Sequence, residues 1–176
     1  MKQPIAAIMA GLSLVAFAAG AETGVSIPEK LKASQSEVLS LATHATGVQI
    51  YECGIAKDAP GRFQWVFKGP EADLFDAAGN RIGRHYGGPT WESNDGSKVV
   101  AAVKARDDAP DAKSIPWLLL GAKSTAGAGV FGRTTSIQRV RTAGGTTPAE
   151  ACGQAQVGKV ARVAYEATYY FYVPRP

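Results

Sequence analysis

The chain has 176 residues, of which 45% are apolar and 19% are charged, and only two are cysteines. This length and composition are typical of one globular domain, and they exclude a disordered segment, a collagen-like fibre and a disulfide-dense miniprotein. The formal net charge is +4, with the basic residues spread along the chain rather than gathered in a run. Such a distribution predicts no nucleic-acid partner.

The N-terminus has the pattern of a secretory signal peptide. Lys2 precedes a short, almost uncharged apolar stretch that ends in Ala19, Gly20 and Ala21 before Glu22. Small residues at the first and third positions before the cut are typical of signal cleavage, so we expect cleavage after Ala21; the alternative is an uncleaved N-terminal anchor. No other apolar run approaches the roughly 20 residues of a membrane span. We therefore expect a mature chain without a membrane span, located in the periplasm or outside the cell.

The two cysteines, Cys53 and Cys152, form an even set in a chain with a secretory address. In an oxidising compartment such a pair predicts a disulfide. Closing a loop of about 100 residues stabilises a fold by about 4.7 kcal/mol in the chain-entropy model. A metal-thiolate pair and a catalytic cysteine are the alternatives, but the chain has no Cys-x-x-Cys spacing to favour a metal or redox site.

Taken in chain order, residues 22–46 are mixed and mostly polar, and we expect a lead-in segment with little regular structure beyond a helical turn near 27–31. Beyond that point apolar and polar residues alternate with a period of two, which predicts half-buried strands. The predicted strands are 48–53, 62–68, 72–76, 81–86, 90–92, 98–106, 115–120, 130–142 and 161–173. The chain thus divides into a signal peptide at 1–21, a lead-in at 22–46 and a β-rich domain at 47–176.

Turn signals separate these segments about every ten residues, and no stretch has the pattern of a three-turn amphipathic helix. The predicted fold is therefore mainly β: a single-domain antiparallel β-sandwich or barrel with little helix.

The densest cluster of chemically versatile residues lies at 85–97. His85, Glu92 and Asp95 could converge at a strand end as a general base, metal ligands or sugar-binding groups. In the structural interpretation, the glycines and proline between them shape a bend, Trp91 packs in a core, and Asp95 braces a turn. Spacing along strands and loops does not decide between the two.

Other candidates lie further along the chain. Arg139 and Arg141 alternate on a predicted strand, so both would share a face and could bind a carboxylate or phosphate together. Alternatively, they form ion pairs with Glu92, Asp95 or Glu150. The predicted ligand-binding set is His85, Trp91, Glu92, Asp95, Trp117, Arg139 and Arg141.

Cofactor signals are weak. The two histidines, His44 and His85, could hold a single metal only together with a carboxylate, and we predict no metal site and no cofactor. Residues 127–132 match Gly-x-Gly-x-x-Gly, but a strand-like, β-branched stretch follows them. The dinucleotide fingerprint needs a helix there, so we interpret the match as accidental.

Several motifs resemble an uncharacterised group of secreted bacterial and fungal proteins known only as a domain of unknown function. They are GVQIYEC at 47–53, HYGGPTWE at 85–92, DGS at 95–97, IPWLLL at 115–120, IQRV at 137–140, and the closing strand at 165–172. The resemblance covers nearly the whole expected mature chain. It implies export and a single compact domain, and it implies no activity, cofactor or catalytic residue.

The leading hypothesis is an exported β-rich domain that binds a small molecule or glycan without transforming it. The alternatives are a secreted hydrolase or lyase that uses His85 with Glu92 or Asp95, and a structural envelope protein. The sequence predicts no oligomeric state.

Overall fold

Eight antiparallel strands follow one another in chain order around a closed barrel. The structure, a computed structural model, describes residues 26–176, so the predicted signal peptide lies outside the described residues. The strands are β1 (Glu37–Ile55), β2 (Phe63–Phe75), β3 (Arg81–Tyr86), β4 (Thr90–Ser93), β5 (Lys98–Asp107), β6 (Trp117–Ala126), β7 (Ser136–Gly144) and β8 (Val160–Pro174). Pairing of β1 with β8 closes the sheet. The predicted antiparallel, mainly β fold is confirmed.

Helix within residues 26–176 is limited to two 3₁₀ turns, Glu29–Leu31 and Gln154–Gln156. The first coincides with the helical turn expected near 27–31. No helix in this part of the chain is long and apolar enough to cross a membrane.

The alternation in the sequence determines which side chains fill the barrel. In β8, Tyr165, Ala167, Tyr169 and Phe171 are buried in the interior. The predicted hairpin between β2 and β3 is also present, and Asp76 braces its turn by accepting the backbone N–H groups of residues 78 and 80.

β1 begins at Glu37, upstream of the predicted domain start at residue 47. The residues from 37 to 46 therefore belong to the barrel rather than to an irregular lead-in. Their inward side chains include Thr43 and Ala45, which are small. His44 and Thr46, which alternate with them along the strand, are exposed. The large apolar residues of this segment, Val38, Leu39 and Leu41, do not recur at every second position, and the segment is extended because β1 pairs with β8 along nearly its whole length.

The two ends of the barrel differ. At one end, which we call the closed end, the β6–β7 loop at 127–135 places the fully buried Phe131 inside the barrel, 4.6 Å from the ring of Phe171. This loop contains the Gly-x-Gly-x-x-Gly sequence and leads into β7 rather than a helix. At the other end, the open end, lie the connections 87–89, 108–116 and 145–159.

The predicted disulfide between Cys53 and Cys152 is confirmed, with the two Cα atoms 5.5 Å apart. It joins the final part of β1 to the β7–β8 connection at the open end. The indole N–H of Trp65 donates to the carbonyl oxygen of Glu150 in the same connection, at 2.7 Å. A disulfide is compatible with a periplasmic or extracellular location.

A smaller apolar cluster covers the outside of the barrel. Leu31, from the first 3₁₀ turn, packs there with Trp117 and Val140.

At the closed end, the two termini of the barrel meet, and the backbone N–H of Arg175 donates to the carbonyl oxygen of Ser36 at 2.8 Å.

Candidate functional site

The interior of the barrel is filled towards the closed end but contains a cavity of about 440 Å³ towards the open end. Three residues of the predicted set line this cavity, namely His85, Trp91 and Arg139. Further lining residues are Gln49, Tyr51, Phe67, Leu118, Leu120 and Tyr169. Aromatic and aliphatic side chains therefore form most of the wall, with a few polar groups among them.

His85 reaches the interior from β3, where it pairs in register with Trp91 of β4. The two rings stack with centroids 4.2 Å apart and planes inclined by 11°. The Nδ1–H of His85 donates to the carbonyl oxygen of Thr90 at 2.8 Å, and burial lowers the pKa of the imidazole to about 3. The ring is therefore neutral near pH 7 and is a poor general base, because efficient bases have pKa values near the working pH.

Trp91 is almost completely buried and contacts the edge of Tyr169, with ring centroids 5.4 Å apart. Its indole N–H is enclosed and has no acceptor among residues 26–176. The indole and the imidazole of His85 together form an uncharged part of the cavity wall.

Arg139 lies on β7 beside Tyr169 of β8 and lines the cavity. Its Nε–H and one Nη2–H donate to the carbonyl oxygen of Pro116, at 3.1 and 2.9 Å. Burial raises the pKa values of Tyr165 and Tyr169, and the positive charge of Arg139 opposes that rise in both. Arg139 therefore places a cationic group among the interior phenol groups.

The predicted ion-pair partners of Arg139 lie elsewhere. The carboxylate of Glu150 pairs with Lys159 at 2.7 Å. Glu92 sits on the outer surface, where it accepts the hydroxyl of Tyr86 at 2.6 Å and pairs with Arg84 at 3.2 Å. Within residues 26–176, Arg139 forms no ion pair.

Asp95 lies at the closed end rather than in the cavity. Its carboxylate accepts the hydroxyl and backbone N–H of Ser97, at 2.6 and 2.8 Å, and the backbone N–H of Val130 at 2.9 Å. These hydrogen bonds, led by the hydroxyl of Ser97, lower the pKa of Asp95 to about 2. The carboxylate thus holds the loop that carries Phe131.

Trp117 and Arg141 also lie outside the cavity. Trp117 packs in the outer cluster with Leu31. Arg141 is exposed and adopts φ 50°, in a bulge of β7 between residues 140 and 143. The bulge inserts an extra residue and interrupts the alternation, so Arg139 and Arg141 do not share a face as the sequence predicted.

Gln49 and Tyr51 are among the lining residues that the sequence analysis did not predict. The Nε2 of Gln49 is enclosed without an acceptor among the described residues. The hydroxyl of Tyr51 donates to the carbonyl oxygen of Gly145 at 2.7 Å. Period two places residues 49, 51 and 53 on one face, and the predicted disulfide at Cys53 could have identified that face as the inner one.

The two histidines lie on different faces of the barrel wall. His44 is exposed on the outside, 3.8 Å from the carboxylate of Glu166, whereas His85 is inside. The described part of the chain contains no group of three His, Cys, Asp or Glu side chains that could hold a metal ion.

A family model matches the chain over residues 33–173, a range that includes almost the entire barrel. The chain belongs to DUF3455, described as a protein of unknown function. This confirms the resemblance to a domain of unknown function that the sequence motifs indicated. No curated protein and no solved structure matches the chain. The functional interpretation of this DUF3455 barrel therefore depends on its own site.

Proposed function

We propose that this DUF3455 barrel binds a small molecule with an apolar body in the cavity at its open end, without transforming it. The observation that carries the proposal is the cavity itself, about 440 Å³ inside a closed barrel. Protein interiors are close-packed and contain few voids larger than a water molecule. Eight-stranded barrels can enclose one small ligand, and ligand sites typically measure about 300–1,000 Å³.

The wall chemistry supports binding without catalysis. His85 is neutral at physiological pH, and neither Glu92 nor Asp95 lines the cavity with it. The hydrolase or lyase alternative requires these carboxylates to act together with the imidazole. A purely structural envelope protein would have no need to keep an unfilled interior.

Export is part of the same proposal. The disulfide between Cys53 and Cys152 requires an oxidising compartment to persist, and residues 1–21 have the pattern of a signal peptide. We infer that the protein meets its ligand in the periplasm or outside the cell.

Binding can be tested with N-phenyl-1-naphthylamine, an uncharged aromatic probe whose fluorescence rises in apolar surroundings. We expect saturable binding of one probe per barrel. Leu118→Trp, which adds a large ring to the cavity wall, should weaken binding at least fivefold. Leu39→Trp is the matched control because Leu39 is 52% exposed and does not line the cavity.

Probe fluorescence that does not saturate would contradict the proposal. Equal probe affinity in the Leu118→Trp and Leu39→Trp variants would also contradict it, because it would place the bound probe outside the barrel.

A further inference from the structure

We infer that the ligand is an organic monoanion, with an apolar body and one carboxylate that binds Arg139; this inference rests on the proposed function. The first observation is the charge of the wall. Three basic residues line the cavity, Lys68, Arg106 and Arg139, and no acidic residue of the described chain does.

The three cations are not equivalent. Lys68 and Arg106 are exposed at the rim, and each has a carboxylate nearby, Glu52 at 3.3 Å and Asp108 at 3.8 Å. Arg139 is partly buried and forms no ion pair within residues 26–176. A partly buried charge without a partner is costly, and its attraction for an anion is screened less than at the surface.

The geometry of the guanidinium favours a carboxylate. A guanidinium carries five N–H groups, and two of those of Arg139 hold the carbonyl oxygen of Pro116. This contact uses the Nε–Nη2 edge and fixes the plane of the group. The hydroxyl of Tyr169 also lies close enough to accept an N–H of Arg139, so a carboxylate at the Nη1–Nη2 edge would compete with that hydroxyl. Two parallel N–H groups on that edge match the two oxygens of a carboxylate. Because the group is already fixed, binding costs less side-chain entropy.

The remaining wall suits an apolar body attached to the carboxylate. The uncharged rings of His85 and Trp91 line the cavity, and Leu118 and Leu120 supply aliphatic contacts. Gln49 lines the same cavity, and its amide N–H groups lack an acceptor. Rotation of this amide would let it donate to an oxygen of the ligand.

The test compares two competitors of the same size and shape, 2-naphthoate and its uncharged analogue 2-naphthamide. Each is titrated against N-phenyl-1-naphthylamine bound to the disulfide-intact protein. We expect 2-naphthoate to displace the probe at least tenfold more effectively than 2-naphthamide. In Arg139→Gln, the ratio of displacement by 2-naphthoate to displacement by 2-naphthamide should fall to about one. Arg106→Gln removes one positive charge from the rim, and this variant should keep most of the preference for 2-naphthoate.

Each result separates the two proposals. Failure of the uncharged probe to bind would overturn the proposed function, and the inference with it. Binding of the probe with equal displacement by both competitors would overturn the anion inference alone. A preference that survives Arg139→Gln but disappears in Arg106→Gln would assign it to the rim and contradict the role of Arg139.

Two further measurements complete the design. If Arg139→Gln does not fold, Arg139→Lys keeps the charge but loses the paired donors, and the preference should decrease without disappearing. Stronger displacement by 2-naphthyl phosphate than by 2-naphthoate would overturn the assignment of a carboxylate, because it would favour a dianionic head group.

Discussion

The carboxylate of Asp95 accepts the backbone N–H of Val130 at 2.9 Å, and this contact joins two turns at the closed end of the barrel. The hydroxyl of Ser97, which Asp95 orients, accepts the next backbone N–H, that of Phe131, at 3.0 Å. The side chain of Phe131 then fills the end of the barrel. One carboxylate thereby fixes the loop that forms the floor beneath the cavity.

Asp95→Ala should lower the free energy of unfolding by about 1–3 kcal/mol, because it leaves several backbone and hydroxyl donors without their acceptor. Urea unfolding at pH 7 measures this effect. Asp108→Ala is the control, since Asp108 is highly exposed and its one ion pair within residues 26–176 is with Arg106 at 3.8 Å. We expect the control to stay within about 0.5 kcal/mol of the wild type.

The same comparison has a predicted pH dependence. The pKa of Asp95 is lowered from 3.8 to about 2, so its stabilisation is complete above pH 3.8 and is lost as the pH falls towards 2. The difference between wild type and Asp95→Ala should shrink across that window. A difference that stays constant down to pH 2 would contradict the assignment.

Burial of neutral His85 should cause a second loss of stability in acid, which begins at a higher pH than the loss due to Asp95. Its pKa is lowered from 6.5 to about 3, so stability is complete above pH 6.5 and decreases as the pH falls towards 3, by up to about 1.4 kcal/mol per pH unit. His85→Asn removes the titration and retains an N–H near Thr90. Its unfolding free energy should therefore depend less on pH between 6.5 and 4.

His44→Asn is the matched control, because it makes the same substitution at a histidine that is exposed on the outer face. Histidine NMR titrations provide an independent measurement. A His85 ring that titrates near pH 6.5 in the folded protein would refute the prediction.

Loss of the disulfide should lower stability by about 2–5 kcal/mol, since the bridge joins Cys53 and Cys152 across a separation of 99 residues. The comparison is thermal unfolding of the oxidised and the reduced protein. A double variant, Cys53→Ala with Cys152→Ala, should match the reduced protein and should not respond to reductant. If the wild type has the same transition when thiol labelling shows full reduction, the bridge contributes nothing to stability.

The strands with strict alternation were predictable from the sequence, and β8 is the clearest example because its buried residues Tyr165, Ala167, Tyr169 and Phe171 recur at every second position. Closure into a barrel was not predictable to the same degree, since a sandwich and a barrel share this alternation. The difference depends on the pairing of β1 with β8, which are distant in sequence. The early start of β1 at Glu37 depends on the same pairing.

The candidate site could be predicted in part. His85 and Trp91 lie on strands that are bounded by turn signals in the sequence, and both residues line the cavity. Glu92 follows Trp91 directly, so the period of a strand already places it on the opposite face. The bulge at Arg141 has no comparable signal, because no glycine or proline lies between Val140 and Ala143, where the register shifts.

Pairing of β1 with β8 makes the order of strands around the barrel cyclic, and the hydrogen bond between Arg175 and Ser36 holds the two ends of this pair together. A short linker between these two positions would allow the chain to be opened elsewhere, for example in the exposed turn at 77–80 between β2 and β3. Such a circular permutant would retain every neighbouring strand pair, the loop with Phe131 that fills the closed end, and the disulfide. The architecture therefore depends on the cycle of strand neighbours rather than on which strand is synthesised first.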